Sequence, residues 1–151
     1  LLYLNQEKRK EETKMKLKKI AKELVKDFGI KVKYANLERD DFDGFFAYYE
    51  DNFIVIPREE ENYYCEDFME DFKNRYPEVN AHEITISILH EVGHCMVHPN
   101  KKCKTEKAVR TDYYHKFDER IATAWAAEYI ITHPKKIAKF EKKLKKMLEE
   151  D

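Results

Sequence analysis

Residues 90–94 read His90-Glu91-Val92-Gly93-His94, three ionisable side chains set inside an otherwise apolar stretch. From about Ala81 to Val97 the spacing predicts a helix with Ile84, Ile88, Leu89, Val92 and Met96 on its apolar side. Asn80 is a plausible N-cap with Glu83 at the third helical position, and His98-Pro99-Asn100 ends the helix. Residues four apart lie one turn apart on one face, so the imidazoles of His90 and His94 can reach one metal ion. Glu91 is rotated about 100° from His90, which puts it beside such an ion rather than on it. A carboxylate there can take a proton from an attacking water and pass it to a leaving amine. The competing interpretation is a helix whose histidines are simply satisfied polar residues.

Two histidines do not complete a catalytic zinc site, which takes three protein ligands and an open position. A third His six residues after the second is absent, because position 100 is Asn100. His98 shares the face of His90 and His94 but sits one turn further on. At about 5.4 Å of rise per turn, three consecutive turns do not converge on one ion. His98 is therefore expected to support the ligands from behind or to end the helix. The better candidate is Glu119, in Glu119-Arg120-Ile121-Ala122-Thr123-Ala124-Trp125-Ala126. Glu119, Ala122 and Ala126 form a stripe at i, i+3 and i+7, whose small residues allow close approach to the first helix. Asp118 is the local competitor, and Glu119 as an exposed acid at a helix start is the bland alternative. Glu128, nine residues on, falls about 180° around the helix and cannot share the site. Gly93 costs a helix about 1 kcal/mol relative to Ala, so a second backbone passing close to it would explain its presence.

The remaining elements are read from periodicity and breakers. Residues 6–28 predict an amphipathic helix through Leu17, Ile20, Ala21, Leu24, Val25 and Phe28, stopped by Gly29. Short strands are predicted at Lys31–Ala35, Phe45–Glu50 and Phe53–Ile56, with Asp51-Asn52 between the last two as in a tight hairpin. The acidic stretch 59–76 has aromatic spacing (Tyr64, Phe68, Phe72) suited to a helix, and Tyr76-Pro77 is a break. Residues 99–112 read as a Lys-rich loop. A helix from Tyr114 to Thr132 carries Ile121, Ala122, Trp125, Ala126, Tyr129 and Ile130. Pro134 opens a last helix to Glu149 that buries Ile137, Phe140, Leu144 and one of Met147 or Leu148. The expected class is α+β, a small zincin-like domain with helices packed on a short three-stranded sheet.

A chain of 151 residues fits a single domain over 1–151, with residues 1–5 expected to be disordered or foreign to the natural protein, since no Met opens the chain. The formal charge of -1 excludes a global pull toward nucleic acid or membrane. Residues 1–33 carry 11 Lys+Arg against 5 Asp+Glu, residues 34–80 carry 4 against 14, and residues 81–151 carry 14 against 11. Solvated helix faces account for these Lys runs. Cys65, Cys95 and Cys103 are an odd set with no C-x-x-C spacing, neither a disulfide framework nor a thiolate metal site. Cys95 directly follows a candidate ligand and reads as a small buried residue. No apolar run approaches the roughly 18 residues of a membrane span, and the expected location is cytoplasmic.

Residues 88–98 and 119–130 together resemble the ImmA/IrrE family of metallopeptidases. Members pair an HExGH helix, often with a trailing His, with a later E-x-x-A-x-x-F-A segment supplying a glutamate ligand. The resemblance implies Zn2+ held by His90, His94 and Glu119, with Glu91 as general base. Trp125 stands where Phe is usual and Ile121 where a second acid is common. The acidic insert 59–80 has no counterpart. The resemblance also implies a protein substrate, a helix-turn-helix repressor of a mobile element such as a phage or of a stress response, with no direct nucleic-acid or membrane partner. An exposed strand within 45–56 could hold an extended substrate by β-addition. Tyr113, Tyr114 or His115, expected in a loop before Glu119, could stabilise an oxyanion or be ordinary loop residues. Two other classes remain open: a metal-retaining partner or toxin/antitoxin component without turnover, and a zincin acting on DNA-protein crosslinks. The intact Glu91 argues against the first. The glutamate in place of a third histidine argues against the second.

Overall fold

The computed structural model describes residues 2–97 and 112–149. Helix α1 (Leu2–Val25) starts at Leu2 rather than at residue 6, so residues 2–5 are helical, and residue 1 lies outside the described residues. Leu17, Ala21, Leu24 and Val25 are buried at the predicted spacing. The helix tightens into a 3-10 turn over Lys26–Phe28 and stops at Gly29, whose φ of 70° is cheap only for glycine.

Three strands follow: β1 (Lys31–Tyr34), β2 (Phe46–Tyr48) and β3 (Phe53–Ile56). Their order is β1-β3-β2, with β3 parallel to β1 and antiparallel to β2. The second strand is shorter than expected because Tyr49 to Asn52 make the turn. Asn52 takes φ 53° and the Asp51 N–H donates to Tyr48 O at 3.1 Å. Val32, Ile54 and Ala47 form one row across the core face of the sheet. Burying a side chain such as Ile54 stabilises the fold by roughly 1.5–3 kcal/mol. The other face carries Phe53, Val55 and Ala35 with Tyr48 against them, a separate small cluster. Lys33 Nζ lies 4.0 Å from the Phe53 ring centre and Arg39 lies 5.3 Å from it, so cationic stems cover this face.

The acidic insert does form regular structure, but as two pieces: a 3-10 turn (Glu60–Tyr63) and helix α2 (Glu66–Arg75). The Asp43 carboxylate ties its start to the loop before β2, accepting from the backbone N–H of Arg58 at 2.7 Å and of Glu59 at 3.0 Å. Tyr63, Met69 and Phe72 are buried, whereas Tyr64, placed on the apolar face by spacing alone, is exposed.

Helix α3 (Glu83–Val97) is followed by α4 (Asp112–Thr132) and α5 (Pro134–Glu149). The cap of α3 is His82 rather than Asn80. Its Nδ1 accepts from the Ile84 N–H at 3.0 Å, and its own N–H donates to Glu141 of α5 at 2.7 Å. Helix α3 packs on β2, β3 and α4, while α1 packs on β1 and α5. Ion pairs Lys143–Glu23, from α1, and Lys136–Asp27, from the 3-10 turn after it, at 2.6 Å, join this end of the chain to α5 at the surface. Ile137, Phe140, Leu144 and Met147 fill the α5 side of the core. Helices on a small three-stranded sheet are consistent with the expected α+β class. No helix among the described residues is long and apolar enough to cross a membrane. His98, Cys103 and the predicted loop up to residue 111 lie outside the described residues.

Candidate metal centre

The middle of α3 is buried on all sides, from Ile84 to Cys95. Its packing partner is α4, and contact there is backbone to backbone because Gly93 lies against Ala122. That approach brings Glu119 and the two histidines together. Glu119 Oε2 lies 2.8 Å from His90 Nε2, and Glu119 Oε1 lies 3.0 Å from His94 Nε2. The two Nε2 atoms are 3.2 Å apart. Both imidazoles are buried, while the Glu119 side chain is 41% exposed and so forms the open side of the cluster.

The opposite ring nitrogens are also held. Thr123 Oγ1 lies 3.0 Å from His90 Nδ1, and Asp118 Oδ2 lies 3.3 Å from His94 Nδ1. The Thr123 hydroxyl has one proton and donates it to the Glu119 carbonyl one turn back, at 2.8 Å. Toward His90 it therefore accepts, which puts the imidazole proton on Nδ1 and the lone pair on Nε2. A lone pair facing a carboxylate oxygen at 2.8 Å is repulsive unless a proton or a cation lies between them. Asp118, an acceptor, favours the same tautomer at His94.

Electrostatics of the cluster follow from this crowding. Burial alone would lower the His94 pKa, but hydrogen bonds to Asp118 and Glu119 and the nearby Glu91 and Glu119 charges outweigh it and push it up to about 10. Burial acts to raise the Glu119 pKa, and the bonds from His90 and His94 override it, holding the carboxyl well below the usual carboxylate range. Glu91 goes the other way. Burial raises its pKa, opposed by the two histidines and reinforced by Glu119.

His90, Glu91 and His94 present ligand-type atoms that all lie within 4.8 Å of one another, a grouping able to hold a metal ion. A tetrahedral site with bonds of about 2.0–2.1 Å has ligand-to-ligand edges of about 3.3 Å. The edges formed by His90, His94 and Glu119, from 2.8 to 3.2 Å, are close to that size. The donor set of two imidazoles and one carboxylate suits a borderline-soft divalent cation.

Of the residues singled out in the sequence, His90, Glu91, His94 and Glu119 meet at this one place. Asp118 is adjacent but takes the far nitrogen of His94 instead of competing with Glu119. Glu128 is exposed and remote from the cluster's face. Helix α4 begins at Asp112, two residues before the expected Tyr114, so Tyr113, Tyr114 and His115 are in its first turns; their side chains lie outside what the structure describes. Spacing alone missed Thr123, whose signal was its place four residues after Glu119 on the same stripe. It also missed Phe68, whose ring centre is 4.8 Å from that of His90. Helix α2 thus walls the site. Comparison of the chain with protein-family models, curated proteins and solved structures gives no match.

Proposed function

We propose that the chain is a zinc-dependent endopeptidase, a zincin-like domain in which His90, His94 and Glu119 are the ligands and Glu91 is the general base. One observation supports it above the rest: two imidazole Nε2 atoms and the oxygens of one carboxylate lie 2.8–3.2 Å from one another, with the other ring nitrogens held by Thr123 and Asp118. When bound, zinc would polarise a substrate carbonyl and make water a better nucleophile at neutral pH.

The chain's own residues supply the remainder. Thr123 and Asp118 orient the imidazoles so that their lone pairs face Glu119. Glu91, one residue from His90, takes a proton from the attacking water and delivers it to the departing amine. Burial raises its pKa, which makes it a stronger base than a solvated carboxylate. Phe68 and the apolar surroundings of α3 limit water on the buried side. Strand β2 is an edge of the sheet beside α3, whereas β3 is internal, so β2 is the strand open to an extended substrate by β-addition.

The resemblance to the ImmA/IrrE metallopeptidases supports a repressor-like substrate. The test is incubation of wild type and Glu91→Gln with helix-turn-helix repressors encoded beside the gene, read by mass spectrometry of fragments. Cleavage by wild type alone is expected. Cleavage by both proteins, or by neither, contradicts the peptidase reading.

A further inference from the structure

Beside Glu119, between α2 and α4, lies a cavity of about 190 Å³ lined by Phe68, Asp71, Arg75, Tyr76, Glu119, Arg120 and Thr123. It is smaller than the roughly 300–1,000 Å³ of a typical small-molecule site, and suits one side chain of a longer ligand. Its charges are unequal in availability. Arg75 is engaged by Asp71, with Nε 2.9 and 3.1 Å from the two carboxylate oxygens. Glu119 faces the two imidazoles. Arg120 is exposed and makes no hydrogen bond or ion pair among the described residues. Phe68 and Tyr76, both half-buried, add aromatic wall and reduce the water that would screen a charge there.

We propose that this cavity is the subsite for an acidic substrate side chain next to the scissile bond, with Arg120 as the residue that selects it. The proposal rests on the metallopeptidase reading in placing a substrate beside Glu119. A guanidinium without a partner among the described residues is a fork of donors matched to a carboxylate. A Lys or Arg side chain would meet like charge from Arg120, and a neutral amide would leave the guanidinium without its counterion. Helix α2, from the insert that has no counterpart in the sequence resemblance, supplies the Phe68 wall of the cavity, while Arg120 and Glu119 both come from α4.

The test uses thiol probes on the cobalt-substituted full chain, read by the thiolate-to-cobalt absorption band. The probes are N-mercaptoacetyl-glutamate amide, its glutamine counterpart, and N-mercaptoacetyl-glutamine with a free C-terminal carboxylate. The glutamate amide should bind about tenfold tighter than the glutamine amide. Arg120→Ala should bring that ratio to about one, and Arg120→Lys should retain part of it. A ratio near one in the wild type, or a ratio unchanged in Arg120→Ala, overturns the subsite. An advantage seen only for the free C-terminal carboxylate also overturns it, because the cavity then takes a chain end. If cobalt binds and the probes do not discriminate, only the subsite falls. If no cobalt band forms with any probe, the metal centre falls and takes the subsite with it.

Discussion

Gly93 of α3 faces Ala122 of α4 so closely that a β-carbon on it would lie 2.5 Å from the Ala122 carbonyl oxygen and 3.0 Å from its Cα. The obstacle is backbone, which cannot swing aside as a side chain can. This approach sets how near Glu119 comes to His90 and His94.

Gly93→Ala should therefore destabilise. Alanine improves helix propensity by about 1 kcal/mol. Overpacking a tight interface costs about 1–3 kcal/mol, and more when backbone must move. The second effect wins, so the urea midpoint should fall and metal affinity should fall with it as α4 is pushed away. Urea titration with and without chelator checks this, and a variant as stable as the wild type would contradict the close-packing account.

Thr123 touches His90 Nδ1 at 3.0 Å, so any effect on metal binding would pass through that ring. Thr123→Val keeps the shape and removes the hydroxyl, so metal affinity should drop about 10–100-fold while the fold persists. Thr123→Ser should restore most of it. Competition with a chromophoric chelator measures the affinity, and circular dichroism separates the loss from unfolding. Equal affinity for all three proteins would remove Thr123 from the site.

Asp40 supports the sheet's second face, through Tyr48 and Arg39. Arg39 donates to its carboxylate at 2.8 and 2.9 Å, and against the cost of burial the Tyr48 hydroxyl and the Asn36 N–H add their own bonds, holding its pKa well below the usual value. A group whose folded pKa is depressed stabilises fully above its unfolded pKa, near 3.9, and loses that contribution as pH falls toward the folded value. Asp40→Asn should cost about 1–3 kcal/mol at pH 7. The gap between variant and wild type should narrow progressively below about pH 4. Urea unfolding at pH 7 and pH 3 checks the sign. A gap that widens at pH 3 would contradict it.

Much of the site was legible because helical spacing is rigid. His90, Glu91 and His94 follow from a 3.6-residue repeat, and the Ala122 and Ala126 stripe pointed Glu119 at them. Gly93 was readable as a close approach for the same reason. The central place of β3 had a signal in four consecutive apolar residues, Phe53 to Ile56, which suit a strand covered on both faces. Its parallel pairing with β1 had none, since register depends on contacts distant in the chain. Thr123 looked like an ordinary helix residue and Asp118 like a competing ligand, and the contacts they make arise only when α3 supplies the ring nitrogens. The wall built by α2 was illegible because a polar insert's docking is decided by tertiary packing.

Elemental analysis of the purified chain tests whether His90, His94 and Glu119 hold one zinc ion. About one zinc per chain is expected in the wild type and in Glu91→Gln, with a sharp fall in Glu119→Ala. A wild type without zinc when purified in its presence, or a Glu119→Ala protein that retains the full complement, would contradict it.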